Sequence, residues 1–171
     1  LIFTAGTEFI FVLWSGPLLQ SQAGLGNAAA AASLATFTGG IAVGRAVTAR
    51  LAHRFSAERL LRVAFVVPLA AFWGLWLGGN ALVMLLSLFI CGVGVGAHWP
   101  LGISRLVRAG SVDPDSAATR SALATGGASM AFPVLLGAVA DQVGIHAAFG
   151  FLPLLLLGGL ALVAFKPLEQ A

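Results

Sequence analysis

Glu8 is the first side chain of this sequence with clear chemical potential, because it is the single carboxylate within a long apolar run, residues 1–20. In a helix rising 1.5 Å per residue it lies about 10 Å from the start of that run. Ionisable groups at membrane depth are unfavourable and often functional, because lipid does not hydrate them. A carboxyl group in a medium of low dielectric can take up and release a proton. We therefore expect Glu8 to exchange a proton or to contact a ligand; the alternative is a position at the membrane interface.

His98 and Trp99 are a second candidate pair, placed directly before Pro100 in another apolar run. An imidazole titrates near neutral pH and can donate a hydrogen bond to a polar ligand. An indole can stack on a sugar or an aromatic ligand. The alternatives are that His98 bonds a backbone carbonyl freed by Pro100 and that Trp99 anchors the chain at the membrane interface.

The remaining residues show no pattern typical of catalysis or cofactor binding. No zinc-ligand spacing, phosphate-binding Gly-Lys loop or nucleophile–base arrangement is present. Cys91, the single cysteine, lies within an apolar run and is expected to be a small packing residue. We therefore expect no metal, no cofactor and no enzymatic activity.

The elements that must position these residues are transmembrane helices. Hydrophobic residues make up 59% of the 171-residue chain and charged residues only 9%, which excludes an ordinary soluble domain. A transmembrane helix needs about 20 predominantly apolar residues. Six such stretches occupy nearly the whole chain, which predicts an all-α polytopic membrane protein with one six-helix bundle over residues 1–171. The six are Leu1–Gln20, Asn27–Ala49, Leu60–Leu77, Ala81–Val107, Ala117–Asp141 and His146–Phe165.

The cations indicate the orientation of these helices. All nine Lys and Arg residues fall in or beside the second and fourth connections or after the last helix, and the other connections carry none. Because cytoplasmic loops are enriched in Lys and Arg, these connections and both ends of the segment should be cytoplasmic, in the cell (inner) membrane. The cations form no basic stripe with aromatic residues, so we expect no nucleic-acid partner. Arg45 lies deeper than the other cations and is expected to extend to the inner interface.

Small residues recur at four-residue spacing within two of the predicted helices, at Gly40 and Gly44 and again at Gly92 and Gly96. Lipid provides no hydrophobic drive for helix pairing, so small residues that allow close backbone approach favour packing. The same surfaces are candidates for sliding or bending during a conformational change. Proline inside a helix removes a backbone hydrogen bond, so Pro100 and Pro133 predict kinks.

A weak internal repeat connects the two halves of the chain. Residues 49–56 end the second predicted helix and residues 137–144 end the fifth, and both follow the pattern small, any, aliphatic, Ala, polar, polar, apolar, small. The second helix ends on the cytoplasmic side and the fifth on the opposite side. This arrangement predicts two inverted three-helix repeats, an arrangement found in secondary transporters.

The sequence resembles the C-terminal half, helices seven to twelve, of a major facilitator superfamily transporter. Residues 49–61, ARLAHRFSAERLL, are similar to the family's basic loop between the second and third helices of each half. Arg50, Leu51, Arg54 and Arg59 match that pattern, whereas His53 stands in place of its acidic residue. Two further stretches resemble the eleventh and tenth helices: the first contains Pro133, Gly137, Asp141 and Gly144, and the second is Gly92–Pro100.

The resemblance implies a twelve-helix protein that binds a small organic solute between its halves and is driven by H+ or, alternatively, Na+. The chain begins at Leu1 within an apolar run, so we expect an N-terminal half that is missing here. Gly6-Thr7-Glu8 followed by Trp14 is similar to the seventh helix of sugar-permease-like members, in which an acid and an aromatic residue contact substrate. The resemblance further implies a conformational or gating motif formed by Gly44, Arg45, Arg50, Arg54, Pro100, Pro133, Gly137 and Asp141.

Two other classes of protein remain open. One is a self-contained six-helix protein that forms a homo-oligomeric channel or a membrane scaffold, although no filter-like loop or ring-forming polar stripe is present. The other is an intramembrane enzyme. Alternating-access transport, in the form of sugar-like uptake or of drug or metabolite efflux, agrees best with the sequence.

Overall fold

A computed structural model describes residues 1–24, 26, 28–108 and 114–165. Every regular element in these ranges is a helix, so the predicted all-α class is confirmed. Asn27, the middle of the fourth connection and Lys166 lie outside the described residues. The helices are α1 (Ile2–Ala23), α2 (Ala28–Leu51), α3 (Ala57–Leu77), α4 (Ala81–Arg108), α5 (Pro114–Val143), α6 (Ile145–Phe149) and α7 (Leu152–Phe165).

Five segments of the described chain are long and apolar enough to cross a membrane by length and composition. They contain α1, α3, α4, most of α5, and α6 together with α7. The chain is therefore a multi-pass membrane protein.

The second predicted span is the exception among the six. α2 has 24 residues and is long enough to cross a bilayer, yet it is not among the five apolar segments. Its sequence is rich in Ala, Gly and Thr and contains Arg45, so its mean apolar character is lower than that of its neighbours. Its small residues instead favour close contact with another helix.

Two helix starts differ from the prediction for local reasons. α3 begins at Ala57, three residues before the predicted boundary, because the Ser56 hydroxyl caps its first turn by accepting a bond from the Arg59 amide at 3.4 Å. α5 begins at Pro114, three residues before the predicted boundary, so Ser116 lies inside its first turn. Proline is favourable in a first turn because no helical partner is needed for its missing N–H.

The last predicted span, His146–Phe165, is divided into α6 and α7. Pro153 has no N–H to donate to the Phe149 carbonyl, so one helical hydrogen bond cannot form at this point. The turn is instead closed by shorter-range bonds, from Gly150 N to Ala147 O and from Phe151 N to Ala148 O, both at 3.1 Å. The break is local, and residues 145–165 still form one candidate membrane span.

The helices pack in a repeated pattern. α4 packs against α2 and α3. In the same way, α1 packs against α5 and α7. α1 contacts α2 as α4 contacts α5, while α1 also contacts α4 and α3 contacts α7. Exchanging α1 with α4, α2 with α5 and α3 with α7 therefore converts the first three of these contact types into their counterparts and leaves the α1–α4 and α3–α7 contacts unchanged.

Glycines bring α2 and α4 into backbone contact, as their spacing predicted. A Cβ atom at Gly44 would collide with the Val93 carbonyl, and one at Gly40 with the Phe89 carbonyl. From the other side, a Cβ at Gly96 would lie 2.5 Å from the Ile41 carbonyl oxygen. Larger residues at these positions would force the two helices apart.

Arginines gather at one end of the bundle, which we call the arginine end. The starts of α1 and α5 meet the ends of α4 and α7 there, around a cavity lined by Leu1, Arg105, Arg120 and Leu162. The start of α3 joins the same end through an ion pair between Glu58 Oε1 and Arg105 Nε at 3.1 Å.

An aromatic cluster fills the bundle farther from the arginine end. Phe11, Phe37, Phe72 and Phe149 are fully buried. Phe11 contacts the rings of Phe37 and Phe149 at centroid distances of 5.0 and 6.0 Å, and Phe72 stacks on Phe149 at 6.2 Å. This cluster joins α1, α2, α3 and α6 into one core.

Candidate functional site

A cleft of about 670 Å³ lies in the half of the bundle nearest the arginine end, between α1, α2, α4 and α5. It brings together four residues singled out in the sequence, Glu8, Arg45, Trp99 and Pro100. The other residues that line the cleft are mostly small or apolar, and three helices contribute hydroxyl groups to it. These further lining residues are Ala5, Phe9, Thr48, Ala49, Ala52, Leu101, Ser104 and Thr125.

Glu8 and Arg45 reach the cleft at the same depth. Glu8 is seven residues from Leu1 and Arg45 is six residues from Leu51, which places both about 10 Å along their helices from the arginine end. Arg45 is close enough to act electrostatically on the Glu8 carboxylate. Among the described residues, however, neither side chain has an ion-pair or hydrogen-bond partner. Arg45 is exposed and Glu8 is half-buried, so the described part of the cleft contains one ionisable group of each sign without an ion-pair partner.

Neutral groups complete the lining of the cleft. The Trp99 side chain is 46% exposed, so its indole is available for contact. The Thr125 hydroxyl is buried and has no hydrogen-bond partner in the described part of the chain. The Ser104 hydroxyl donates to the Pro100 carbonyl of its own helix at 2.9 Å. Thr125 thus leaves an unsatisfied polar atom buried beside the cleft and not exposed to it.

His98 does not line the cleft. It is buried between α3 and α4, where its Nε2 donates to the Ala64 carbonyl at 2.9 Å and its ring stacks on Phe65 with a centroid distance of 4.2 Å. That carbonyl is available because Pro68, four residues later, has no N–H to offer it. The expected bond to a carbonyl freed by a proline is thus present, but the proline is Pro68 of α3 and not Pro100.

Trp14 also makes a structural contact, with α5. Its Nε1 donates to the Pro133 carbonyl at 3.2 Å. Its ring lies against Gly137, where a Cβ atom would come within 3.0 Å of the indole. Trp14 was expected to contact substrate, whereas Pro133 and Gly137 were expected to belong to a gating motif. The structure brings the three together at the α1–α5 contact.

The other members of the predicted gating motif lie apart from one another. Gly44 is at the α2–α4 contact, and Arg50 and Arg54 are exposed where α2 ends. Asp141 is exposed near the end of α5, away from the arginine end. His53 is exposed, and the carboxylate that pairs with an arginine in this region is Glu58.

Sequence reasoning missed several residues of the cleft, although helical periodicity contained the signal. Thr48 and Ala52 follow Arg45 by three and seven residues, which places all three on one face of α2. Ser104 follows Pro100 by four residues, and Phe9 follows Ala5 by four. Thr125 carried no such signal, because only the tertiary packing brings α5 to this wall.

The described residues contain no group of three or more His, Cys, Asp or Glu side chains arranged to hold a metal ion. No protein-family model matches the chain, and no curated protein matches it. The cleft and the helix packing are therefore the observations from which a function can be argued.

Proposed function

We propose that this chain is one half of a secondary transporter of the major facilitator type, and that it moves a small organic solute across the cell membrane by alternating access. The arginine end would face the cytoplasm, in agreement with the positive-inside rule. The solute would bind between this bundle and an N-terminal half, against the wall formed by Glu8, Arg45 and Trp99.

The repeated packing of the helices supports the first part of the proposal. α1 begins at the arginine end, whereas α4 ends there. The two helices therefore run in opposite directions, although they make corresponding contacts with their neighbours. Inverted three-helix repeats would produce this relation. Such repeats allow one fold to adopt inward-facing and outward-facing states of similar energy.

The cleft is the observation that carries the proposal. Charged side chains at membrane depth are unfavourable unless they are paired or functional. Glu8 and Arg45 lie in the same cleft at the same depth, unpaired, beside an accessible indole. A scaffold would have no need of two unpaired charges there, whereas a solute site uses such groups to fix the orientation of its ligand.

The cleft and the aromatic cluster divide the bundle into two functional halves. The cleft lies toward the arginine end, where a solute would enter from the cytoplasm or leave to it. The buried phenylalanines close the other half of this bundle against water. Alternating access would then require the missing half to move against this one, so that the cleft becomes accessible from the opposite side.

Reconstitution of the intact gene product in proteoliposomes tests the proposal. With an imposed pH gradient or a sodium gradient, a labelled solute should accumulate, and without a gradient, preloaded vesicles should show counterflow. Passage of solute without counterflow would indicate a channel and contradict the proposal.

The Glu8→Gln variant tests coupling in the same vesicles. We expect it to abolish gradient-driven accumulation and its pH dependence, because the amide cannot exchange a proton. Counterflow at saturating solute should remain, because exchange requires no net proton movement. An unchanged pH dependence in this variant would exclude Glu8 as the coupling group. Ser104→Ala is a matched control, since it alters the cleft wall without removing a charge.

A further inference from the structure

The cleft carries information about the charge of its ligand. Glu8 and Arg45 line the same cleft and interact electrostatically, yet their side chains do not form an ion pair. Glu8 is half-buried and Arg45 is exposed, so both charged groups are accessible to a molecule in the cleft. The cleft of about 670 Å³ has space for a small molecule that contacts both groups.

Three classes of solute differ in how well they satisfy these two charges. An uncharged solute leaves both ions with hydrogen bonds only, and a solute with one charge pairs one ion and leaves the other unpaired. A bound solute that covers these two groups removes water from them, and a charge that loses water without gaining a partner is unfavourable. A solute with an ammonium group and a carboxylate group pairs both, and charge-assisted hydrogen bonds of this kind are the stronger ones.

The rest of the lining fits a small apolar body attached to such charges. Phe9, Leu101 and small alanine side chains form much of the wall, and the Trp99 indole is accessible. This composition disfavours a polyol, whose many hydroxyl groups would face apolar walls.

We propose that the solute is a zwitterion of the amino-acid type, whose ammonium group contacts Glu8 and whose carboxylate contacts Arg45, with its apolar part beside Trp99. This inference rests on the proposed transport function and names its substrate class. It assigns opposite roles to two side chains, and each role can be tested by changing one charge of the ligand.

Binding to the purified intact protein tests the assignment. The probes are the common α-amino acids with uncharged side chains, each compared with its N-acetyl derivative, which retains only the negative charge, and its carboxamide, which retains only the positive charge. We expect at least one amino acid to raise the melting temperature and to bind about tenfold more tightly than both of its derivatives, since each derivative loses one charge-assisted contact.

Two variants separate the roles of the charges. Glu8→Gln should abolish the preference for the amino acid over its N-acetyl derivative, and Arg45→Gln should abolish the preference over its carboxamide. Arg50→Gln, an exposed cation on the same helix outside the cleft lining, should change neither preference. A merely structural role would weaken the binding of all three ligands alike, and that result would overturn the assignment.

The outcomes distinguish this inference from the transport proposal. Binding and counterflow of sugars or of singly charged solutes, with none for any amino acid, would overturn the zwitterion and leave transport standing. Failure of every solute to bind or to exchange would overturn both. Tight binding of an amino acid with the expected selectivity in the two variants supports both.

Discussion

At the scale of single residues, Pro68 of α3 determines a hydrogen bond between α3 and the neighbouring helix α4. Pro68 leaves the Ala64 carbonyl without its helical donor, and the His98 imidazole of α4 supplies one instead. The buried His98 thus acts as a cross-link between α3 and α4 and not as a ligand group. Sequence reasoning anticipated the kind of bond but chose the wrong proline, because only the packing shows which helix His98 faces.

Replacing His98 therefore tests a structural role. We expect His98→Phe to lower the free energy of unfolding by about 1–3 kcal/mol, the effect of leaving a buried carbonyl unsatisfied. In a Pro68→Ala background the restored amide can bond Ala64, so the same replacement should have a smaller effect. Denaturant titration in lipid-like micelles measures both values. Equal losses in the two backgrounds would contradict this account of the bond.

At the scale of helices, glycine spacing proved more informative than hydropathy. The spacing of Gly40 and Gly44, and of Gly92 and Gly96, correctly predicted close packing, and the structure identifies α2 and α4 as the two helices. Hydropathy predicted six spans, of which five are apolar enough to cross a membrane among the described residues. The sixth, α2, is less apolar and packs on α4 through its small residues. The division between α6 and α7 was not predicted, because an apolar sequence pattern does not show that Pro153 removes a hydrogen bond from the preceding turn.

A matched pair of substitutions on α2 tests this packing. A methyl group at Gly44 would meet the Val93 backbone, whereas one at Gly39 would find its nearest neighbour, Phe89, at 3.9 Å. We expect Gly39→Ala to stabilise the protein by about 0.5–1 kcal/mol, through the higher helix propensity of alanine. Gly44→Ala should destabilise it. The melting temperatures of both variants report the sign, and a rise for Gly44→Ala would argue against tight packing at this contact.

At the scale of the whole molecule, the cleft could be predicted only in part. Glu8, Trp99, Pro100 and Arg45 were identifiable from depth, charge and residue type, and the structure places all four in one cleft. Their meeting depends on helix packing that no local pattern contains. For the same reason the sequence did not show that Trp14 and His98 bond to the particular helices they contact.

The placement of the arginines predicts the orientation of the whole bundle. In a Cys91→Ala background, a membrane-impermeant thiol reagent should label Asn80→Cys in intact cells, because residue 80 is exposed between α3 and α4, away from the arginine end. Arg54→Cys should be labelled only after the cells are permeabilised. The reverse labelling pattern would place the arginine end outside the cell.

The bonds at the two ends of α3 have a mechanical consequence. Near one end, Trp76 Nε1 donates to the His146 carbonyl at 2.8 Å, and His146 Nε2 donates to the Trp76 carbonyl at 2.9 Å, with the two rings stacked. At the other end, Glu58 is fastened to Arg105 of α4. α3 is thus bonded to α6 near one end and to α4 at the other. A tilt of α3 away from one of these helices would distort its bonds to the other. We therefore expect α3, α4 and α6 to keep their positions relative to one another when other parts of the protein move.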